Sequence, residues 1–325
     1  MCNRSHIVWR TTLLVAFLLV LMVPVEVCAA GESYPSKPIK LIVPFNPGGL
    51  SDTTARVVVK HMDKYFDQPL VVVNIEGAGS IVGSQEALEA PADGYTLLWH
   101  HHSMLTSNVM GLADFTWDSY TPVCSVVSTG ATVVVKATSP WNTLKDLLDD
   151  AREHPGKIRY GVNLGTMSHF GGLNLGLATG VKFSYVGGGG DAVRIAQLLR
   201  GEIDVCASGG LTVQYVRSGE LRPLAYASDK RNPALPEVPT TIEQDVDSVE
   251  IFTLGIFGPK GLPKDIVEKL EKAFAMLCED SSFKEEMRSH VCEVTYMPSD
   301  VFGEYLDSEQ IRLQEVAERS GILKK

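Results

Sequence analysis

Ile39-Lys40-Leu41-Ile42-Val43-Pro44-Phe45-Asn46-Pro47-Gly48-Gly49-Leu50-Ser51-Asp52 reads as a β-branched strand, a stiff turn and the start of a helix. Pro44 and Pro47 restrict the turn, Gly48 and Gly49 bare its backbone N–H groups, and Ser51 or Asp52 can cap the helix. A helix N-terminus with free amides attracts anions, because its unsatisfied N–H groups and the macrodipole both favour negative charge. An ordinary strand-to-helix turn has the same pattern, so the run by itself leaves both readings open. Strand candidates recur at Leu70 to Val73, Thr96 to Trp99, Thr132 to Lys136, Ile158 to Val162, Ile203 to Ala207 and Ile251 to Phe257. Amphipathic helical segments alternate with them, at Thr53 to Phe66, Thr143 to Glu153, His169 to Ala178, Ala192 to Leu199, Asp265 to Leu277 and about Ser299 to Arg319. This alternation predicts an α/β fold of mostly parallel sheets with helices on both faces.

In such sheets ligands bind where strands end and helices begin. A second loop of this kind is Asn163-Leu164-Gly165-Thr166-Met167-Ser168-His169. It offers amides, hydroxyls and an imidazole, although a His at this position is more often a cap or a solvated side chain. A third, Asn74 to Gly83, contains GxGxxxG. The third glycine is one place late for a dinucleotide fingerprint, and no acid ends the next strand. The loop is therefore ligand-facing or packing, with Gly79 and Ser80 as candidates. In His100-His101-His102, alternation places His100 and His102 on one side, which would suit a metal. No carboxylate or cysteine cluster completes such a site, so His100 touching a bound anion is favoured over zinc, and a half-exposed polar loop over both. Gly187 to Gly190 lacks the Lys and Ser/Thr of a P-loop and reads as a tight turn near the cleft. There is no GxSxG elbow or HExxH, and adjacent Ser168 and His169 point in different directions, so no catalytic residue is assigned.

The chain has 325 residues. Arg4 and Arg10, the apolar run Leu13 to Val23 and Cys28-Ala29-Ala30 predict a signal peptide over residues 1–30, cleaved after Ala30. The run is short for a bilayer span. Val25, Glu26 and Val27 argue against lipidation of Cys28, and an unlipidated exported protein points to a Gram-negative periplasm. The remaining 295 or so residues suggest two domains. Without Arg4, Arg10 and Glu26 the balance is 27 basic against 38 acidic side chains, about −11. That excludes a nucleic-acid partner and requires any anion site to rest on local dipoles. Of the mature cysteines, Cys124 and Cys206 lie in strand-like runs and read as core, whereas Cys278 and Cys292 are open between a disulfide and core packing.

Several motifs together resemble the Bug family, the TctC-like receptors of tripartite tricarboxylate transporters. They are Tyr34-Pro35-Ser36-Lys37-Pro38-Ile39, the Pro44 to Asp52 loop, Asn74 with Gly77-Ala78-Gly79, Asp93-Gly94-Tyr95-Thr96-Leu97-Leu98, Pro155-Gly156-Lys157, and Lys230-Arg231-Asn232-Pro233-Ala234-Leu235-Pro236-Glu237-Val238-Pro239-Thr240. The resemblance covers essentially the whole mature chain. It implies a two-lobed type II periplasmic-binding-protein fold with crossover strands near Ala131 to Val134 and Ile251 to Leu254. Lobe one would be residues 31–130 plus 251–325 and lobe two residues 131–250. It further implies a ligand carboxylate held by Asn46, Gly48, Gly49, Leu50 and Ser51 on one side and Gly165, Thr166, Ser168 and His169 on the other. Asp52 matches an acidic family position, for which capping is favoured. The chain departs from the family at Ile75-Glu76, at His100 to His102 and at Ala207-Ser208-Gly209, so His100 and Ser208 are expected where the far end of the ligand is read. The implied function is capture of a small carboxylate for a membrane permease by a monomer, without cofactor or metal. Two rivals use the same fold: a periplasmic enzyme employing His100, His102, His169 or Ser168, and a sensory receptor serving a signalling partner.

Overall fold

A computed structural model describes residues 34–323. The expected signal peptide, residues 1–30, lies outside the described residues. Strand β1 (Ile39–Val43) pairs in parallel with β2 (Leu70–Asn74) and β3 (Thr96–His100). Helices α1 (Leu50–Met62) and α2 (Ile81–Leu88) connect them, and α3 (Ser103–Val109) follows β3. Ile39, Leu41, Ile42 and Val43 are fully buried. A strand covered on both faces needs such a nearly continuous apolar run, broken here only by half-buried Lys40, which reaches Glu86 at 3.2 Å.

Strand β4 (Tyr120–Lys136) runs for 17 residues and belongs to two sheets. Its first part, to Gly130, pairs antiparallel with β9 (Ile251–Pro259), which also pairs with β3, and with β10 (Glu293–Pro298). From Ala131 onward it pairs antiparallel with β7 (Val205–Ser208) and β8 (Leu221–Ala227). The second parallel group is β6 (Ser184–Gly187), β5 (Arg159–Val162) and β7. Helices α4 (Leu144–Glu153), α5 (Met167–Thr179), α6 (Asp191–Arg200) and α7 (Thr212–Arg217) serve this second sheet. Helices α8 (Lys264–Glu279), α9 (Ser281–Ser289) and α10 (Ser299–Ser320) return to the first, with α10 packed on β4, α3 and α5.

Both chain crossings pass one point. Ala131 N–H donates to Glu250 O at 3.1 Å, Glu250 N–H donates to Ala227 O at 3.0 Å, and Ile251 opens β9 opposite Gly130. Gly130 has no room for a side chain, since a methyl there would stand 2.7 Å from the Tyr226 ring. Under the second sheet, Ile195 and Leu198 of α6 pack with Val134, Ile203, Cys206 and Leu221. Burial of each large aliphatic side chain contributes about 1.5–3 kcal/mol. Cys124, Cys206, Cys278 and Cys292 are all free and buried. The open choice for Cys278 and Cys292 thus resolves to separate thiols in the core.

Candidate functional site

A cavity of about 100 Å³ lies where β1, β3, β5 and β6 end. Three helices begin at it: α1 after Gly49, α5 after Thr166 and α6 after Gly190. None of the three N-cap residues caps its own helix with a side-chain hydrogen bond, although the first amide of α5, Met167 N–H, donates to Ser103 Oγ at 3.3 Å. The other leading amides that lack a partner keep their capacity to bind an anion.

The α1 wall is mainly backbone. Gly48 takes a left-handed conformation with φ 79°, which glycine adopts without strain. Its N–H donates to Asp52 Oδ2 at 2.9 Å, and Asp52 also pairs with Arg56 at 2.9 Å. Burial raises the Asp52 carboxyl, but Arg56 and the Gly48 amide outweigh it and hold the pKa below the usual carboxylate range. Asp52 thus braces the turn as an anion. Asn46 reaches toward the opposite wall, where a methyl on Gly190 would lie 3.9 Å from Asn46 Oδ1.

The α5–α6 wall is held by side chains. Arg194 is buried in the first turn of α6, with 3 % of its surface exposed. Its Nη1 donates to Ser168 Oγ at 3.2 Å and Gly189 O at 3.0 Å, and its Nη2 to Ala207 O at 3.2 Å and to Asp191. Ser168 Oγ also accepts Asn163 N–H at 2.9 Å, which occupies both its lone pairs. Its proton is then directed to Thr166 Oγ1, 3.2 Å away, whose own proton goes to Asn163 O. The Ser168 and Thr166 hydroxyls are spent on shaping the loop, so on this wall the donors that remain are chiefly amides.

His101 closes the floor. Its ring stacks on Phe45 at 4.8 Å and meets Phe252 edge-on at 5.3 Å. Burial, with the neighbouring His100 and His102, holds its pKa well below the ordinary histidine value, so the ring is neutral. Ser103 N–H donates to Nδ1 at 3.3 Å, which leaves the proton on Nε2.

Of the residues nominated from sequence, Asn46, Gly49, Leu50, Ser51, Thr166 and Ser168 line the cavity together. Gly48, Gly79, Ser80, His100, Gly165, His169 and Ser208 are not among its lining residues. Gly165 donates to His169 Nδ1 at 3.5 Å and accepts from Thr106 Oγ1 at 2.7 Å, so both belong to the support of the loop. Gly79 and Ser80 form a turn against the α5 loop, since a methyl on Gly79 would lie 3.5 Å from Thr166 Cγ2. Ser208 is fully buried at the end of β7, and its Oγ has no hydrogen-bond partner among the described residues. His100 is buried with Nδ1 accepting His101 N–H at 2.7 Å. It is His101 that lines the cavity, because β3 ends at His100 and strand alternation ends with it. Sequence reasoning also passed over Phe45, Asn163, Asp191, Arg194 and Phe252 as liners. The available signal was an Arg between Val193 and Ile195, three residues after an Asp, a helical spacing that brings the two together.

Residues 54–322 match the sequence profile described as the tripartite tricarboxylate transporter family receptor, TctC. The chain belongs to this family. Among its relatives, Protein BugT of Bordetella pertussis is 30 % identical over 250 residues, covering 75 % of this chain and 77 % of BugT. The structure of the periplasmic binding protein BugD superposes with TM-score 0.83 at 28 % identity, over 90 % of this chain and 100 % of BugD. Rpa4515 of R. palustris, solved with adipate, gives TM-score 0.84 at 25 % identity, over 89 % of this chain and 98 % of its own. The fold is accordingly the periplasmic-binding-protein fold that the motifs implied. TctC receptors are solute-binding proteins. No helix among the described residues is long and apolar enough to cross a membrane, and no group of three His, Cys, Asp or Glu among them could hold a metal ion.

Proposed function

We propose that this protein is an exported receptor that captures a small carboxylate between two lobes and passes it to the permease of a tripartite tricarboxylate transporter. Lobe one is residues 31–130 with 251–325, and lobe two is residues 131–250. The observation that carries this reading is the convergence of three uncapped helix N-termini, from both sheets, on one cavity. The adipate in Rpa4515 supports a carboxylate as ligand. Closure is coupled to binding because the ligand needs amides from both walls, and it favours the closed form only by what it gains there. Thr106 Oγ1 to Gly165 O at 2.7 Å and Met167 N–H to Ser103 Oγ at 3.3 Å are contacts of the same closed arrangement. The spent hydroxyl of Ser168 favours a receptor over an enzyme.

Gly49→Asp tests the site. Gly49 has φ −82° and ψ 178°, and a side chain there would meet only Asn46 O at 3.6 Å. Asp is a preferred N-cap, so the variant should fold with unchanged or higher melting temperature. Its carboxylate would occupy the α1 amides, and carboxylate affinity should fall by on the order of a hundredfold or more, as an anion competing for two to three charge-assisted hydrogen bonds. A panel of mono-, di- and tricarboxylates read by thermal shift and calorimetry measures both quantities. Wild-type affinity in the variant would remove the α1 loop from the site.

A further inference from the structure

Asp191 and Arg194 are the two charged side chains among the residues lining the cavity. They are ion-paired in direct contact, so Arg194 brings no unpaired positive charge to a ligand, while the Asp191 carboxylate remains the negative group nearest it. All four terminal N–H groups of Arg194 are already used, by Ser168, Gly189 O, Asp191 and Ala207 O, so the end-on fork that an arginine offers a carboxylate is not available, and only the buried Nε–H has no partner among the described residues. The positive potential left for a ligand is chiefly that of the helix ends. Each contributes roughly half a unit charge, so the three supply about one and a half. One carboxylate is balanced by that field; a second, enclosed beside Asp191, exceeds it. Phe45, Leu50, Val193 and Phe252 make an apolar surface around the neutral ring of His101, beside the uncharged polar side chains of Asn46, Ser51, Ser103 and Asn163.

We propose that the cleft selects a monocarboxylate with an apolar or aromatic body, and that Asp191 is the residue that rejects a second carboxylate. This inference rests on the carboxylate-receptor reading and names its substrate class. The second charge would meet the Asp191 carboxylate across the cavity, where like charges a few ångströms apart repel.

The test is calorimetric, on the wild-type protein at pH 7.5, with acids paired by body: hexanoate, monomethyl adipate and adipate; benzoate and terephthalate. The expected result is that in at least one series the monoanion binds on the order of tenfold or more tighter than its diacid. Monomethyl adipate should follow hexanoate, since it differs from adipate chiefly by one charge. In D191N, checked for folding by its circular dichroism spectrum, the preference should shrink through a gain in diacid affinity. Diacids binding as tightly as their monoacid partners would overturn the inference and leave the carboxylate receptor standing. A panel in which no acid binds would overturn both. Should D191N fail to fold, the wild-type pairs decide the matter alone.

Discussion

The α1 wall of the cleft is mostly backbone, whereas the α5–α6 wall is built on Arg194, Asp191, Ser168 and Thr166. The two walls present the same device, an uncapped helix N-terminus, and stabilise it by different means. On α1 the turn is stiffened by Pro44 and Pro47, and its one acid, Asp52, is turned away to Gly48 and the exposed Arg56. On the other wall a buried guanidinium ties the first turn of α5, the loop after β6 and the end of β7 together. A backbone-built wall resists loss of any one side chain but is sensitive to where a Cβ can go. A network wall has the opposite weakness.

The largest expected effect follows from that contrast. Arg194→Met strands Asp191 and the Ser168 network in a buried setting and should destabilise the protein by about 3–5 kcal/mol in urea unfolding. Arg56→Met removes the partner of Asp52 at a surface where pairs are worth about 0–1 kcal/mol. Similar losses for the two variants would break the comparison.

A second prediction concerns Glu250, which lies where the chain crosses between the sheets and fills the space left by Gly171 of α5. Burial is the main cause that pushes its pKa up to about 8, and nearby Asp191 adds to it while Arg194 and Arg312 oppose it. The folded protein therefore holds this proton more tightly than the unfolded chain does. Its contribution is full below the unfolded value near 4.5 and is lost as pH rises to about 8. Glu250→Gln should remove that decline and raise stability at pH 8 by up to a few kcal/mol, since each tenfold difference in proton affinity between the folded and unfolded chain corresponds to about 1.4 kcal/mol. Denaturation curves at pH 5 and pH 8 test it; a variant with the same pH dependence as the wild type would show that Glu250 does not titrate in this window.

Backbone sensitivity of the α1 wall is measured by a pair of alanines. Gly48→Ala places a Cβ at φ 79° and should cost about 1–2 kcal/mol, whereas Gly49→Ala, in an extended conformation with space, should stay within about 0.5 kcal/mol. Equal costs would mean that the turn relaxes. The smallest effect separates two histidines by ligand affinity. His169→Ala removes the acceptor for Gly165 N–H and should weaken binding by about threefold to tenfold, as a hydrogen bond worth about 1 kcal/mol. His61→Ala should not change affinity, since His61 pairs with Glu286 at 2.7 Å on the far end of α1. Affinity losses of equal size would place His169 outside the site's support.

Much of the fold is legible in the sequence, because strands buried on both faces must be continuously apolar and helices must carry one apolar stripe. Ile39–Val43 and Thr96–His100 announce themselves this way. Strand β10 does not: Glu293–Pro298 is mostly half-buried, ends in proline and, among the described residues, pairs with β4 alone, so its pattern resembles a loop. The first half of β4 is interrupted by Pro122 and Gly130, and its course through two sheets depends on partners seventy or more residues away in the chain.

The sequence by itself determined the α/β class and two of the three helix termini that meet at the cavity, since proline, glycine and hydroxyl residues act on their own neighbours. Only the tertiary structure decided that α6 supplies the third terminus, that Arg194 is consumed by Ser168, Asp191 and two carbonyls, and that His101 rather than His100 faces the cavity. Those outcomes depend on which loops meet after two sheets pack. Local propensity does not encode the approach of residues distant in the chain, and the charge left over for a ligand is set by that approach.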